Sequence, residues 1–281
     1  GNGAAGQAMV KLVAKLPGRH ILLNEAIDGT FPAHHPDPTV AKNLVQLQER
    51  VRAERADLGI AFDGDGDRIG VVDGEARILW GDQILALLAS EVLAERPGAT
   101  IIADVKASQV LFDEVARMGG KPLMWKTGHS LIKDKMKELH APLAGEMSGH
   151  MFFTEGFYGH DDAIYGAARV LRIVADANRG VDELLADIPR YVATPEIRVD
   201  CPDDLKFRVV ERAQAHFRTL HDVIDVDGVR ILYGDGWGLI RASNTQPILV
   251  VRFEALSQSR LDEIRDEVAA WLATQGVTFP R

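Results

Sequence analysis

Apolar residues along the chain follow two spacings, one typical of helices and one typical of short buried strands. Residues 4–16 and about 40–55 carry apolar positions at helical spacing. Residues 20–23, 57–62 and 68–73 are short apolar runs and are predicted to be strands. Because strands and helices alternate, this part of the chain is predicted to form a parallel, three-layer α/β unit.

The same alternation then repeats along the next hundred residues. We predict helices at 81–96, 108–119, 128–139, about 161–178 and 181–188, and strands at 100–105, 121–125 and 141–146. Ser108 is expected to cap its helix, because its hydroxyl can accept a hydrogen bond from the first helical turn. The repeat predicts a second α/β unit of similar plan.

After Ala193 the predicted strands lie close together between two helices. The helices are predicted near 203–219 and 259–274, and the strands near 221–225, 228–233, 238–242 and 248–254. Strands gathered in this way favour a separate, smaller α+β domain. The predicted fold is therefore two consecutive three-layer α/β units followed by a smaller α+β C-terminal domain, with domains 1–77, 78–190 and 191–281.

Composition and charge exclude several classes of protein. Of the 281 residues, 46% are hydrophobic and 26% are charged, the balance of a soluble globular protein. The 32 basic and 41 acidic residues leave a formal charge of −9 without a basic cluster, so no nucleic-acid partner is expected. No apolar run approaches the ~20 residues that span a bilayer. The lone Cys201 excludes an internal disulfide and favours a cytoplasmic location.

The strongest chemical signal is the acidic loop, residues 63–68, directly after a predicted strand. Asp63, Asp65 and Asp67 alternate there with glycines, which let the backbone bend so that the carboxylates converge. Three hard oxygen donors suit Mg²⁺, although a solvated acidic turn has the same composition. A calcium EF-hand is excluded, because its sixth position needs Gly and this loop has Arg68 there. The adjacent Arg68 also indicates a bound anion.

A second polar loop, residues 145–150, follows another predicted strand and is named here the Glu146 loop. Glu146, Ser148 and His150 lie in it between glycines. A carboxylate, a hydroxyl and an imidazole together can hold the vicinal hydroxyls of a sugar. A tight polar turn without a ligand would have the same sequence, so both interpretations stay open.

The third loop, residues 241–245, connects two predicted strands and is named the Arg241 loop. An arginine fork with the hydroxyl and amide groups of Ser243, Asn244 and Thr245 is suited to binding phosphate. A polar hairpin turn is the alternative, since Ser, Asn and Thr are common turn residues.

Two single residues lie where α/β proteins bind ligands. Lys106 ends a predicted strand of the second unit. His129 lies at the N-terminus of a predicted helix, where anions are favoured. A lone Lys or His is more often a surface residue, and only the shared location distinguishes these two.

With DGDGDR, GEMSGH and RASNT in this order, the chain resembles the α-D-phosphohexomutase superfamily and its bacterial phosphomannomutase/phosphoglucomutase group. The resemblance covers essentially the whole chain and implies four domains around a central cleft. By this resemblance the side chains fall into four sets: Mg²⁺ ligands Asp63, Asp65 and Asp67; sugar contacts Glu146 and Ser148; phosphate contacts Arg241, Ser243, Asn244 and Thr245; and catalytic groups Arg68, Lys106, His129 and His150.

The resemblance implies a reaction that moves phosphate between O1 and O6 of a hexose, mannose and/or glucose, through a bisphosphorylated intermediate. The implied ligands are hexose 1-phosphate, hexose 6-phosphate and hexose 1,6-bisphosphate. The family's nucleophile is a phosphorylated serine in a Thr-Ala-Ser-His-Asn-Pro-like loop of the first domain, and no such segment occurs in this sequence. We therefore expect that the chain lacks the first domain and binds without turnover.

Two other classes of function stay open at this point. The first is a non-catalytic module that binds phosphosugars. The second is a Mg²⁺-dependent sugar phosphatase, which would need a nucleophilic Asp or a second metal site, and the sequence indicates neither. The opening GNG is typical of a turn after a strand, which favours a chain that begins inside a domain.

Overall fold

The computed structural model describes residues 1–279 and divides the chain into two units. The first unit spans Gly1–Ile188 and the second begins at Pro189. Among the described residues, no helix combines the length and the apolar composition that crossing a bilayer requires.

The first unit contains seven α-helices and two β-sheets within the described residues. Its helices are α1 (Ala5–Val13), α2 (Val45–Glu54), α3 (Gly81–Glu95), α4 (Gln109–Arg117), α5 (His129–Leu139), α6 (Ala163–Ala177) and α7 (Val181–Leu184), with a 3-10 turn at Ala41–Leu44. Its strands are β1 (Leu58–Phe62), β2 (Ile69–Asp73), β3 (Ile78–Leu79), β4 (Thr100–Asp104), β5 (Lys121–Trp125), β6 (Leu143–Gly145) and β7 (Met151–Phe153). The sheet orders are β1-β2-β3 and β5-β4-β6-β7.

The first sheet is antiparallel, so the prediction of a parallel sheet was wrong for this part of the chain. Strand β1 pairs with β2 from Phe62↔Ile69 to Leu58↔Asp73. A parallel crossover needs a dozen or more residues, whereas only the acidic loop connects these two strands. The acidic loop is therefore the turn of a hairpin, which brings its carboxylates to one end of the sheet.

The second sheet is parallel where the sequence predicts it. Strand β4 pairs in parallel with β5 and with β6, and β7 returns antiparallel beside β6. The carboxyl ends of β4, β5 and β6 therefore share one edge, the usual ligand-binding edge of such sheets. Lys106, His129 and Glu146 all follow these strand ends. The predicted cap is also present, because Ser108 Oγ accepts a hydrogen bond from the Val110 N–H at 3.1 Å.

The apolar run at residues 20–23 forms no strand, contrary to the prediction. A strand is stabilised by a ladder of hydrogen bonds to a neighbouring strand. Residues 20–23 have no such ladder, since β1 pairs with β2 alone among the described strands. Ile21 and Leu22 instead line a groove together with Ile60 of β1. Residues 20–23 are therefore half-buried along this groove and are not hydrogen-bonded into a sheet.

Helix α3 forms the centre of the hydrophobic core of the first unit. Its residues Ile84, Leu88 and Val92 follow one another at intervals of one helical turn and are fully buried. They pack in one cluster with Val71 of β2 and Ile101 of β4. One core therefore supports both sheets and fixes the loops at their ends.

In its described part, up to residue 279, the second unit contains one antiparallel sheet and two helices. Its strands are β8 (Val192–Ala193), β9 (Ile197–Asp200), β10 (Asp222–Ile224), β11 (Val229–Leu232), β12 (Gly236–Ala242) and β13 (Ile248–Ala255), and its helices are α8 (Asp203–Phe217) and α9 (Gln258–Thr274). The order is β10-β11-β12-β13-β8, and β9 also pairs with β13. Apolar residues of β12 and β13 share a buried core with both helices. This is the predicted α+β arrangement.

Candidate functional site

The acidic loop is organised by its first carboxylate. Asp63 is buried, and its Oδ1 accepts hydrogen bonds from three backbone N–H groups, those of Gly66, Asp67 and Arg68, at 3.0, 3.1 and 3.1 Å. Its Oδ2 accepts a further bond from Arg68 Nε at 2.7 Å. Burial by itself raises the pKa of Asp63, but these hydrogen bonds and the Arg68 charge outweigh it and hold the pKa below its ordinary value.

Three carboxylates of this loop converge as a metal site requires. Ligand oxygens of Asp63, Asp65 and Asp67 lie within 4.8 Å of one another, and Asp65 is exposed. Burial raises the pKa of Asp67, and the neighbouring carboxylates raise it further against the opposing charge of His150. A bound cation would relieve this repulsion. The oxygen-only donor set fits a hard divalent cation such as Mg²⁺.

The Glu146 loop lies directly against the acidic loop. The Ile69 N–H donates to the Gly149 carbonyl at 3.0 Å, and Arg68 forms a β-bridge with His150. Gly149 has a φ of +94°, and a Cβ at this position would lie 2.5 Å from the Ile69 carbonyl oxygen. Only glycine permits this approach. The structure therefore brings two loops that are 77 residues apart in sequence, as measured from Arg68 to Gly145, into one site.

The buried carboxylate of Glu146 connects two elements of this site. Its Oε1 accepts a hydrogen bond from the Gly128 N–H at 2.7 Å, and its Oε2 lies 3.0 Å from His150 Nδ1. Ser148 Oγ lies 2.8 Å from the same Nδ1. These contacts fix the orientation of the imidazole, whose Nε2 lies 3.4 Å from Asp67 Oδ1.

The Glu146 and His150 pKa values move apart. Burial by itself raises the pKa of Glu146, but the hydrogen bonds from His150 and Gly128 outweigh it and lower the pKa. Burial by itself lowers the pKa of His150, but the Glu146 contact and the charge of Asp67 outweigh it and raise the pKa. The pair therefore favours a carboxylate beside an imidazolium.

The two single residues singled out by sequence also lie in the first unit. Lys106 is buried, with its Nζ 3.5 Å from Asp104 Oδ2, and its charge helps to lower the pKa of Glu146. His129 is the first residue of α5, and its ring centre lies 6.5 Å from that of His150. Both residues therefore lie near the Glu146 loop.

Three residues at this site were not identified from the sequence. Asp37 Oδ1 lies 3.4 Å from Arg68 Nη1. Asp161 groups with Asp67 and His150 in a second set of possible metal ligands, and Lys133 Nζ lies 3.2 Å from its carboxylate. None of the three belongs to one of the polar loops that the sequence singled out, so the sequence contained no local signal for them.

The Arg241 loop belongs to the second unit, where it connects β12 to β13. Ser243 Oγ accepts hydrogen bonds from the N–H groups of Thr245 and Gln246 at 3.3 and 3.2 Å. Asn244 and Thr245 are exposed. Arg241 is buried, and its Nε donates to Asp227 Oδ2 at 2.6 Å. A fixed arginine beside exposed hydroxyl and amide groups is compatible with anion binding.

Comparison with known proteins gives the class of protein that these loops and folds define. Three family models match consecutive parts of the chain. They are described as phosphoglucomutase/phosphomannomutase alpha/beta/alpha domain II at residues 1–76, alpha/beta/alpha domain III at residues 80–191, and the C-terminal domain at residues 196–270.

Individual relatives agree with the family models. The chain is 48% identical over 266 residues to the phosphomannomutase/phosphoglucomutase of Pseudomonas aeruginosa, which covers 94% of this chain and 58% of that protein. It is 42% identical over 273 residues to a phosphoglucomutase of Neisseria meningitidis serogroup A, covering 96% and 59%. A crystal structure of a Burkholderia thailandensis protein of this family superposes with a TM-score of 0.92 at 43% identity, covering 100% of this chain and 60% of that one.

The chain belongs to the phosphoglucomutase/phosphomannomutase family of the phosphohexomutases. It spans less than two thirds of the length of the relatives it matches. The activity of the whole relatives therefore enters below as a proposal for this chain.

Proposed function

We propose that this chain binds hexose phosphates together with Mg²⁺ and by itself does not turn them over. Joined to the first domain that the resemblance implies, it would take part in phosphate transfer between O1 and O6 of mannose and/or glucose. The transfer would proceed through a hexose 1,6-bisphosphate. The observation that carries the proposal is the contact between the acidic loop and the Glu146 loop at Ile69 and Gly149, because it places a metal-ligand set beside groups suited to a sugar.

In this proposal Asp63, Asp65 and Asp67 hold Mg²⁺, which would neutralise charge on a transferring phosphoryl group. The oxygen-only donor set supports this identity of the metal. Arg68, already held by Asp63, would add positive charge at the same point. Phosphoryl transfer depends mainly on such charge stabilisation and alignment.

Glu146 and Ser148 would contact sugar hydroxyls, and Lys106, His129 and His150 would surround the reacting group. His150 suits this role because Glu146 and Ser148 fix its Nδ1, while its Nε2 points to the acidic loop, 3.4 Å from Asp67 Oδ1, where the reacting group would lie. Arg241, Ser243, Asn244 and Thr245 would bind the phosphate that does not react. Remote phosphate binding of this kind orients the substrate.

Two expectations from the sequence also stay proposals. We propose the division into domains 1–77, 78–190 and 191–281. The separate family models at residues 1–76 and 80–191 support the first boundary, and the change from an α/β to an α+β arrangement supports the second. We propose a cytoplasmic location, supported by a single cysteine, Cys201, that is buried and free.

A Mg²⁺-dependent sugar phosphatase is the alternative function, and one experiment distinguishes it from the proposed function. Glucose 6-phosphate binding is measured by calorimetry, and phosphate release from the same compound is measured in parallel with Mg²⁺ present. Binding without release supports the proposal. Release of phosphate at a steady rate, lost in an Asp65→Asn variant, would favour the phosphatase instead.

Arg241→Ala is expected to weaken glucose 6-phosphate binding by roughly 1.5–3 kcal/mol while leaving glucose binding nearly unchanged, because a charge-assisted phosphate contact is lost. Titration calorimetry with both ligands measures the difference. Arg218→Ala is the matched control, since this arginine belongs to the same unit and its partner Asp225 is exposed. Equal losses for the phosphorylated and the free sugar would show that Arg241 does not bind phosphate.

Glu146→Gln is expected to weaken binding of glucose 1-phosphate and glucose 6-phosphate alike, each by about tenfold. The reason is that a substrate that turns over between two transfers must meet the same loop in both orientations. The glutamine oxygen can still accept the Gly128 N–H bond, so the loop should stay folded. Glu138→Gln, on the exposed side of α5, is the control. A loss confined to one isomer would contradict binding in two orientations.

A further inference from the structure

Within the described residues, Asp227 is the hydrogen-bond partner that the structure gives to the Arg241 guanidinium. The bond runs from Nε to Oδ2 at 2.6 Å, and the two side chains are only 9% and 18% exposed. Because Asp227 occupies Nε, the forked Nη groups at the end of the guanidinium are left for a ligand. This fork is the part of arginine that binds two phosphate oxygens at once.

The turn that carries Asp227 is built against the strand of Arg241. Gly228 follows Asp227 with a φ of +82°, and a Cβ at this position would overlap the Ile240 carbonyl oxygen and the Arg241 Cα. Gln214 Nε2 of α8 donates to the Gly228 carbonyl at 2.8 Å. The close approach of Gly228 to β12 and the hydrogen bond from Gln214 therefore fix the backbone of this turn. Asp227 is thus presented to Arg241 from an ordered backbone.

We infer that Asp227 is a positioning residue, which fixes the Arg241 guanidinium so that its Nη groups meet the phosphate of a hexose phosphate. This inference rests on the proposed function of the Arg241 loop. An arginine that is already ordered loses less conformational freedom when the phosphate binds. Asp227 acts on the phosphate through Arg241 and does not touch the ligand itself.

A carboxylate beside an arginine can also have the opposite effect. If Asp227 only neutralised the guanidinium, its removal would free a positive charge and tighten phosphate binding. If Asp227 positions the guanidinium, its removal weakens binding, and an uncharged hydrogen-bond acceptor in its place restores it. The sign of the change therefore separates the two roles.

The experiment is titration calorimetry of the 281-residue chain with glucose 6-phosphate and with glucose, for the unchanged chain and for Asp227→Ala and Asp227→Asn. Asp227→Ala is expected to weaken glucose 6-phosphate binding about tenfold and to leave glucose unchanged. Asp227→Asn is expected to recover most of the affinity. Asp225→Ala, which removes an exposed carboxylate of the same turn region, is the control and should bind like the unchanged chain.

A double variant separates positioning from a general loss of fold. Arg241→Ala combined with Asp227→Ala should bind glucose 6-phosphate no more weakly than Arg241→Ala alone, because the inferred effect of Asp227 on the phosphate passes through Arg241. Additive losses, or unchanged or tighter binding by Asp227→Ala, would overturn the inference. Failure of the unchanged chain to bind glucose 6-phosphate, or an Arg241→Ala variant that binds normally, would instead overturn the proposed function, and the inference with it.

Discussion

The purified 281-residue chain is expected to convert no glucose 1-phosphate to glucose 6-phosphate, even with Mg²⁺ and glucose 1,6-bisphosphate supplied. The resemblance requires a phosphoserine nucleophile, and no serine of the chain lies in the expected loop. The structure gives several of them other roles: Ser108 and Ser257 cap helices, and Ser90 Oγ donates to the Leu87 carbonyl inside α3. Groups that act as a unit lose their combined effect when the nucleophile is missing.

A coupled assay that detects glucose 6-phosphate measures this expectation. The phosphomannomutase/phosphoglucomutase of Pseudomonas aeruginosa, assayed under the same conditions, is the positive control. A chimera that joins the unmatched part of that relative to Gly1 is expected to turn over, whereas the same chimera with its loop serine changed to Ala is not. Turnover by the 281-residue chain, free of host enzyme, would show that its nucleophile has been missed.

Mg²⁺ binding is expected to be abolished when Asp63, Asp65 and Asp67 are all changed to Asn. The three carboxylates supply the donor oxygens of the cluster, and neutral amides bind a hard cation far more weakly. Titration calorimetry with MgCl₂ measures the change. Because Asp63 also holds the backbone of the acidic loop, an Asp65→Asn, Asp67→Asn double variant is needed that leaves this carboxylate in place.

The double variant should also lose Mg²⁺ binding while it melts at nearly the same temperature as the unchanged chain. Asp57→Asn, an exposed carboxylate just before β1, is the matched control and should bind Mg²⁺ normally. A Mg²⁺ isotherm that the triple substitution leaves unchanged would contradict the assignment of this loop.

The sequence predicted those parts of the fold that depend on residues close together in the chain. Helices such as α3 follow from apolar spacing, and β1 and β2 follow from apolar runs that end at glycine-rich loops. Four short strands were missed: β3 and β8 have only two residues each, and β7 and β9 have three and four, too few for a clear pattern. The antiparallel pairing of β1 with β2 was missed because alternating strands and helices predict a parallel sheet, whereas the short acidic loop between these two strands permits only a hairpin.

The candidate site was predictable where its residues are neighbours in sequence or, like Lys106 and His129, follow the ends of predicted strands. The acidic loop and the Arg241 loop stand out because their polar groups follow one another within a few positions. Asp37 lies 31 residues from Arg68, and Asp227 lies 14 residues from Arg241. Such pairs depend on how strands and turns approach one another, which a single sequence does not show locally.

The contact between the acidic loop and the Glu146 loop illustrates the same limit. Both loops were identified separately, yet their approach depends on the positive φ of Gly149 and its closeness to Ile69. Glycine occurs in turns for many structural reasons, so the position of Gly149 in the sequence did not by itself indicate a close contact with Ile69. The pKa shifts of Glu146 and His150 follow from this arrangement, so the sequence alone did not predict them either.

Titration calorimetry of the unchanged chain with glucose 1-phosphate, glucose 6-phosphate and glucose, in the presence of Mg²⁺, tests the central claim most directly. Both phosphates are expected to bind, and glucose is expected to bind at least about tenfold more weakly, because charge-assisted hydrogen bonds to phosphate are stronger than those to neutral hydroxyls. Absence of binding by both phosphates, or equal affinity for glucose and its phosphates, would contradict the claim that this chain binds hexose phosphates.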